Sequence, residues 1–196
     1  VGEHWEMGLR QLALDALRSA LEDAGIDQID ALIVANALGG NLSAQNHVGT
    51  LVADYAGLAG VEALRVEAAD ASGGLALRQG VLMVASGAAE TVVVLGVEKA
   101  TDRTGSERDT ALATVLDADY EAGPGGTPAA MAALLMRRYM YEHGVALEQF
   151  EGFSINAHAN GATNPFAMYR NKLRPGAFAK APVVADPVNL FDSAPE

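Results

Sequence analysis

Residues 64–75 read LRVEAADASGGL, and this stretch decides the fold class of the chain. Residues 64–68 are short and mostly apolar, which favours a strand. A helical pattern runs from about residue 75 to residue 86, where Gly87 can end it. A strand that turns this sharply into a helix is typical of α/β proteins, and the turn carries Asp70.

Regular elements of both kinds surround this turn. Near the start of the chain, apolar side chains recur every three or four residues, which predicts an amphipathic helix. The run TVVVLG at residues 91–96 is continuously apolar, as in a strand buried on both faces of a sheet. The predicted elements before the turn are a helix over 6–24 that Gly25 ends, a strand over 29–37, a loop at 39–41 and a helix over 45–56. Strand, tight turn, helix and strand form the βαβ pattern of a mostly parallel sheet with right-handed crossovers, so we expect a layered α/β fold.

The character of the sequence changes after residue 100. Residues 101–119 are polar and lack a strong period, so we expect an excursion over the surface there. Further predicted features are a loop at 123–126, a helix over 128–143 that Thr127 caps, an irregular stretch around 156–165 and a strand near 183–185. Because long irregular segments in α/β domains often serve as binding loops or lids, we divide the chain into three parts. These are a βαβ core over residues 1–100, a loop domain over 101–182, and a return strand with a bridge over 183–196.

The charge and the cysteine content exclude several classes of protein. The net charge is −12, whereas nucleic-acid-binding proteins present a basic face. The absence of cysteine rules out disulfides, cysteine-ligated zinc and thiol catalysis by these residues. His4, His47 and His143 have no partner at metal-ligand spacing, so we expect no metal site. No apolar run is long enough to cross a bilayer and no signal peptide is visible, so we expect a cytoplasmic protein that does not bind membranes.

Asp70 has the position with the clearest chemical meaning. Free N–H groups at the start of the following helix would stabilise an anion there. Open α/β sheets bind their ligands at the carboxyl ends of the strands, where this turn lies. Asp70 could therefore stand where a nucleophile or a ligand-binding group is needed. Asp and Ser also cap helices, and a plain cap at Asp70 or Ser72 explains the spacing more simply.

Several separated motifs resemble those of the thiolase superfamily, particularly its archaeal and sterol-carrier-protein-type acetyl-CoA acetyltransferases. The turn VEAADASGGLALRQG resembles the segment that carries the nucleophile of that family, in which Asp70 would be cysteine. The other matching segments are residues 96–102 (GVEKATD), the helix around Tyr139 (MAALLMRRYMYEHG), residues 156–165 (NAHANGATNP) and residues 185–193 (ADPVNLFDS). The resemblance covers nearly the whole chain. It implies the N-terminal half of a thiolase-like fold, with the loop domain over the active site, a coenzyme A thioester as the substrate and no further cofactor.

The same resemblance suggests which residues contact the substrate. Besides Asp70 at the nucleophile position, the candidates are Ser72, Gly73, His158, Asn160, Asn164, Arg170 and Lys172. Histidine suits proton transfer near neutral pH, and arginine and lysine suit the phosphates of coenzyme A. Plainer alternatives exist, because His158 could organise its own loop and the basic segment from Arg170 to Arg174 could be a solvated surface.

Departures from the thiolase pattern bear on activity and partners. The first strand of the family would precede Val1, and the second half, with its activating histidine and second cysteine, would follow residue 196. Ser193 stands where many relatives have cysteine. We therefore expect a C-terminal thiolase half, covalent or separate, a second copy bound through the N-terminal half, and an OB-fold, zinc-ribbon partner. Three functions stay open: an inactive but binding-competent acyltransferase, a lyase that performs retro-aldol cleavage without a covalent intermediate, and a structural subunit.

Overall fold

The computed structural model describes residues 2–193, which fall into two compact units. The first unit is His4–Ala111, and the second begins at Leu112. The helices are α1 (Leu9–Ala24), α2 (Gly39–Leu42), α3 (Val48–Tyr55), α4 (Ser72–Ser86), α5 (Ser106–Ala113), α6 (Pro128–His143) and α7 (Glu151–Gly161). The strands are β1 (Ala31–Ala35), β2 (Glu62–Val66), β3 (Val92–Gly96), β4 (Val183–Ala185) and β5 (Val188–Asn189). No helix in the described part of the chain combines the length and the apolar character that crossing a bilayer requires.

The first unit is built on a parallel sheet with the strand order β2-β1-β3. Ile33 in the middle of β1 is paired with Leu64 of β2 on one side and with Val94 of β3 on the other. All five residues of β1 are buried, as expected for a central strand that is covered on both faces. The predicted α/β architecture with a parallel sheet is confirmed.

Helices cover both faces of this sheet and create two separate cores. Because side chains alternate along a strand, Leu32 and Val34 join the core formed with α1 and α3, whereas Ile33 joins the core formed with α4. Glycine allows the close approach of helix and strand at one point: a Cβ on Gly49 of α3 would lie 2.5 Å from the carbonyl oxygen of Leu64. The layers therefore depend on small residues as well as on apolar ones.

The second unit combines two helices with a short antiparallel hairpin of β4 and β5. Thr127 caps α6 as predicted, because its side chain accepts a hydrogen bond from the Ala130 N–H. Arg137 of α6 forms an ion pair with Asp186 between the two strands of the hairpin. The buried Ser154 of α7 donates a hydrogen bond to Asp192, at 2.8 Å, beyond the end of β5.

Two predictions of local structure were wrong, and a third segment contains a helix that was not predicted. Residues 39–41, predicted as a loop, begin α2, because the Asn36 side chain accepts a hydrogen bond from the Gly39 N–H and starts the turn. The polar segment 101–119 contains α5, whose many polar side chains hide a helical period from the sequence. The segment around 156–165, predicted as irregular, begins with the last six residues of α7. The apolar residues of α7 are spread around the helix instead of forming one face, and the residue that α7 buries is the polar Ser154.

Other boundaries shifted by a few residues. The first helix begins at Leu9 rather than residue 6, and the helix predicted from residue 45 begins at Val48. The strand predicted over 64–68 spans Glu62–Val66, since Val66 pairs with Ala35 at the end of the central strand and the chain turns directly afterwards. The proposed division at residues 100 and 182 stays a prediction, and the part of the predicted bridge at residues 194–196 lies outside the described residues.

Candidate functional site

The turn between β2 and α4 places Asp70 at the carboxyl edge of the sheet. β2 ends at Val66, a single 3₁₀ turn spans Ala69–Ala71, and α4 begins at Ser72. Asp70 lies in the middle of that turn, and its side chain is exposed. The position beside the start of a helix agrees with the prediction from the sequence.

The cap interpretation of this turn does not hold. Ala71 occupies the N-cap position of α4, and no side chain accepts a hydrogen bond from the first N–H groups of the helix. Within the part of the chain that the structure describes, the Asp70 carboxylate makes no hydrogen bond or ion pair. The Ser72 N–H donates to the Ala69 carbonyl oxygen within the 3₁₀ turn, and no side chain caps the N-terminal end of α4, where the helix dipole favours an anion.

Ser72 is buried and bonded to the backbone of the turn. Its hydroxyl donates to the Ala69 carbonyl oxygen at 2.6 Å and accepts from the Ala68 N–H at 2.9 Å. Gly73, in the first turn of α4, has open space where a Cβ would be. The predicted contact of Ser72 and Gly73 with a substrate stays a prediction, and the observed role of the Ser72 hydroxyl is to hold the turn.

A polar network braces the same edge of the sheet beside the turn. The Glu98 carboxylate accepts hydrogen bonds from the Asn36 side chain and from the N–H groups of Ala37 and Leu38, at 2.8–3.0 Å. Arg65 donates to the carbonyl oxygens of Asn36 and Ala37, both at 2.9 Å. These bonds fix the loop after the central strand.

The second unit contains a cavity of about 720 Å³, which is within the size range of small-molecule sites. Two predicted site residues, His158 and Lys172, lie in its wall. The wall is completed by Tyr169, Asn171, Leu173, Arg174, Ala177, Val184, Leu190, Phe191 and Ser193. The cavity thus combines apolar walls with two basic side chains, Lys172 and Arg174, in a chain of strongly negative net charge.

His158 is held in one orientation at this cavity. Its Nδ1 lies 3.2 Å from the Asn171 carbonyl oxygen, which can only accept, so Nδ1 carries a proton. The ring also packs edge-to-face against Phe191, with 5.5 Å between the ring centroids. With Nδ1 protonated in the neutral ring, Nε2 is the acceptor that remains for a ligand.

The other predicted contacts in this unit do not line the cavity. Asn160 lies exposed near the end of α7. The Asn164 side chain accepts from the Phe166 N–H at 2.9 Å, and Arg170 donates to the Pro165 carbonyl oxygen at 3.4 Å. These bonds organise the loop after α7, and a role of the three residues in binding stays a prediction.

Sequence reasoning missed several residues that the structure brings to these places. Asn36 and Glu98 at the sheet edge gave no signal, because their side chains bond to each other across 62 residues of the chain. Glu67 gave none because its partner is the backbone N–H of Ala69, which no side-chain pattern reveals. Phe191 and Ser193 reach the cavity from the segment after β5, and the Ser193 hydroxyl is buried there without a partner among the described residues. Among residues 2–193, no three His, Asp or Glu side chains are grouped so that they could hold a metal ion.

Comparison with known proteins identifies the family. The profile described as the N-terminal domain of thiolase matches residues 2–180. Acetyl-CoA acetyltransferases of Methanothermobacter thermautotrophicus and Methanocaldococcus jannaschii are each 40% identical over 196 residues, which are 99% of this chain and 51% and 50% of those proteins. A steroid side-chain-cleaving aldolase of Thermomonospora curvata is 28% identical over 200 residues, or 95% of this chain and 49% of the aldolase. The chain thus spans about half the length of the curated relatives it matches, and it belongs to the thiolase family as an N-terminal domain.

Proposed function

We propose that this chain is the N-terminal half of an acyl-CoA acyltransferase of the acetyl-CoA C-acetyltransferase type, in which Asp70 replaces the nucleophile and disables acyl transfer. The observation that carries the proposal is the position of Asp70, exposed in the turn between β2 and α4 beside a helix N-terminus that no side chain caps. A thiolate in that place would be stabilised as an anion and could attack a thioester.

The chemistry of a carboxylate explains the loss of activity. Attack by the Asp70 carboxylate on an acyl-CoA would have to expel the coenzyme A thiolate and leave a mixed anhydride. The carboxylate is the weaker base of the two and therefore the better leaving group, so the tetrahedral intermediate would collapse back to the thioester. The helix dipole would stabilise the carboxylate further and so reduce its reactivity. The chain would therefore bind an acyl-CoA without forming the acyl-enzyme.

The cavity of the second unit supports a role in binding coenzyme A. Lys172 and Arg174 offer positive charge to a phosphate, Tyr169 and Phe191 offer aromatic surface, and His158 offers an acceptor nitrogen. We expect Lys172→Ala to raise the Kd for coenzyme A by roughly 10- to 150-fold, since one charge-assisted hydrogen bond is worth roughly 1.5–3 kcal/mol. Arg138→Ala is the matched control, because Arg138 pairs with Glu142 on the surface of α6.

The main test is to restore the thiol. In the full-length protein, Asp70→Cys should produce thiolysis of acetoacetyl-CoA, with two acetyl-CoA formed for each coenzyme A consumed. Asp23→Cys, on the exposed surface of α1, introduces the same thiol away from the turn and should stay inactive. Continued inactivity of Asp70→Cys with intact binding of coenzyme A would count against the disabled acyltransferase.

A second candidate is a lyase that needs no thiol, and the similarity to a steroid side-chain-cleaving aldolase favours it. In a retro-aldol reaction, a base takes the proton of a β-hydroxyl group and the Cα–Cβ bond breaks. A carbonyl product leaves, and the electron pair stays on the enolate of the shortened acyl-CoA, which then takes up a proton. The unaltered protein should then release a ketone or aldehyde from a β-hydroxyacyl-CoA, and the Asp70→Cys variant should not gain thiolysis. The absence of any carbonyl product would remove this candidate.

Exposed apolar side chains support the proposed partners. Leu77, Val81, Leu82 and Val84 of α4 are each 45–59% exposed, which is an apolar surface that proteins seldom leave in water. We propose that a C-terminal thiolase half, a second copy or an OB-fold, zinc-ribbon protein covers surfaces of this kind in a cytoplasmic assembly, in which this chain has either an enzymatic or a structural role. Light scattering of the native protein tests this, since a stable monomer of 20.3 kDa would contradict it.

A further inference from the structure

The turn that carries Asp70 contains a backbone conformation that an alanine rarely adopts. Ala69 has φ +47°, in the left-handed region that favours glycine. A residue other than glycine keeps such a conformation only when the surrounding structure holds it there. The contacts of this single residue therefore decide how residue 70 is presented.

Two side chains hold both peptide groups of Ala69. The Glu67 carboxylate accepts from the Ala69 N–H at 2.6 Å. The Ser72 hydroxyl donates to the Ala69 carbonyl oxygen at 2.6 Å, and it also accepts from the Ala68 N–H at 2.9 Å. Ser72 is only 5% exposed, so water does not compete readily for these bonds. Rotation of Ala69 toward an ordinary conformation would break the bonds to Glu67 and Ser72 together.

We propose that Ser72 and Glu67 are positioning residues, which clamp Ala69 in the left-handed conformation and thereby hold the side chain of residue 70 at the start of α4. The inference deepens the proposed function, because it rests on residue 70 being the reactive position. If the clamp opens, residue 70 moves away from the N-terminal end of α4, and an anion at that position loses the stabilisation that the helix dipole provides. A side-chain thiol makes this loss measurable, because its reactivity follows the thiolate fraction.

The experiment measures the thiol introduced by Asp70→Cys in the full-length protein. The rate of its alkylation by iodoacetamide is followed against pH, with mass spectrometry of the peptide that carries residue 70. In this background Ser72→Ala should raise the pKa of the thiol by about one unit, which lowers the thiolate fraction below that pKa roughly tenfold. Ser86→Ala is the matched control, because Ser86 lies at the far end of α4 and its hydroxyl bonds to the Met83 carbonyl oxygen. An unchanged titration in Ser72→Ala would overturn the proposal.

A second background shows whether Ser72 acts through Ala69. Glycine adopts a positive φ readily, so in the Ala69→Gly background the Ser72 hydroxyl should be less necessary for that conformation. Ser72→Ala should then shift the thiol pKa by less than it does with Ala69. An equal shift with alanine and with glycine at position 69 would mean that Ser72 acts on residue 70 by another route, which contradicts the clamp.

Glu67 provides a test that does not disturb a buried position. Glu67 is exposed, and both Glu67→Gln and Glu67→Ala remove its charge, but only the glutamine keeps an acceptor for the Ala69 N–H. The thiol pKa should therefore be higher in Glu67→Ala than in Glu67→Gln, whereas equal values would exclude Glu67 from the clamp. Neither titration requires acyl transfer, so failure of the clamp is distinguishable from failure of the proposed acyltransferase function.

Discussion

The two units of the chain differ in how completely they bury the residues of their own strands and helices. In the first, every residue of the central strand β1 is buried, and helices pack on both faces of the sheet. In the second, the hairpin strand β4 is largely exposed, and α6 has Ala133 as its buried residue while Leu134 and Leu135 are 61% and 73% exposed. A three-layer arrangement supplies two partners for each strand, whereas a two-stranded hairpin leaves one face uncovered. The first unit is therefore stabilised by its core, and the second depends more on caps and ion pairs.

The largest expected effect comes from removing a leucine from the core of the first unit. Leu32 of β1 is fully buried, so Leu32→Ala should lower the free energy of unfolding by about 2–5 kcal/mol. Leu135→Ala, on the exposed face of α6, should change it by less than about 0.5 kcal/mol. Urea denaturation measures both. An equally large loss for Leu135→Ala would mean that another part of the protein covers α6, and the contrast between the units would disappear.

A smaller effect is expected where helix and strand approach through glycine. Gly49→Ala would push a methyl group to 2.5 Å from the Leu64 carbonyl oxygen, so it should destabilise the protein by about 1–3 kcal/mol. Gly74→Ala in α4 meets no atom within 4 Å and should be neutral or stabilising by up to about 1 kcal/mol. Thermal melting of the pair tests whether close packing, rather than helix propensity, governs this unit. Stabilisation by Gly49→Ala would contradict the approach of α3 to β2.

In the second unit, the cap of α6 should matter more than its apolar side chains. Thr127→Ala removes the acceptor of the Ala130 N–H and should lower the free energy of unfolding by about 1 kcal/mol. Thr127→Ser keeps the hydroxyl, so its free energy of unfolding should stay close to that of the parent. Hydrogen exchange at the first turn of α6 gives the local measurement. Equal exchange rates in the three proteins would show that the cap does not stabilise this helix.

The smallest expected effect concerns Asp30, at the start of the sheet. The N–H groups of Thr91 and Glu90 donate to its carboxylate and hold the pKa of Asp30 below its ordinary value of 3.8. A lowered pKa adds stability above pH 3.8 that is lost as the pH falls through the folded-state value. Asp30→Asn should therefore be less stable than the parent at pH 7, and the difference should narrow below about pH 4. Asp23→Asn controls for the change in net charge. A stability difference between Asp30→Asn and the parent that stays constant with pH would contradict the lowered pKa of Asp30.

Much of the first unit was predictable because its elements follow local rules. The apolar period of α1 ends at Gly25, which adopts the left-handed conformation of a helix C-cap, and the run 91–96 contains β3. The positions of Asp70 at the turn and of Thr127 as a cap were likewise readable from short motifs. The helix α7 was missed, since its mixture of small and polar residues gives no amphipathic period.

The sequence by itself determined the class of fold, the place of Asp70 between strand and helix, and the absence of cysteine from these 196 residues. Those properties depend on residue type and short-range spacing, which the chain displays directly. Only the tertiary structure decided that Ser72 holds the turn instead of capping α4, and that His158, Lys172 and Ser193 line one cavity. These relations are set by backbone geometry and by segments that are distant in the chain, and no local pattern of residues encodes such distances.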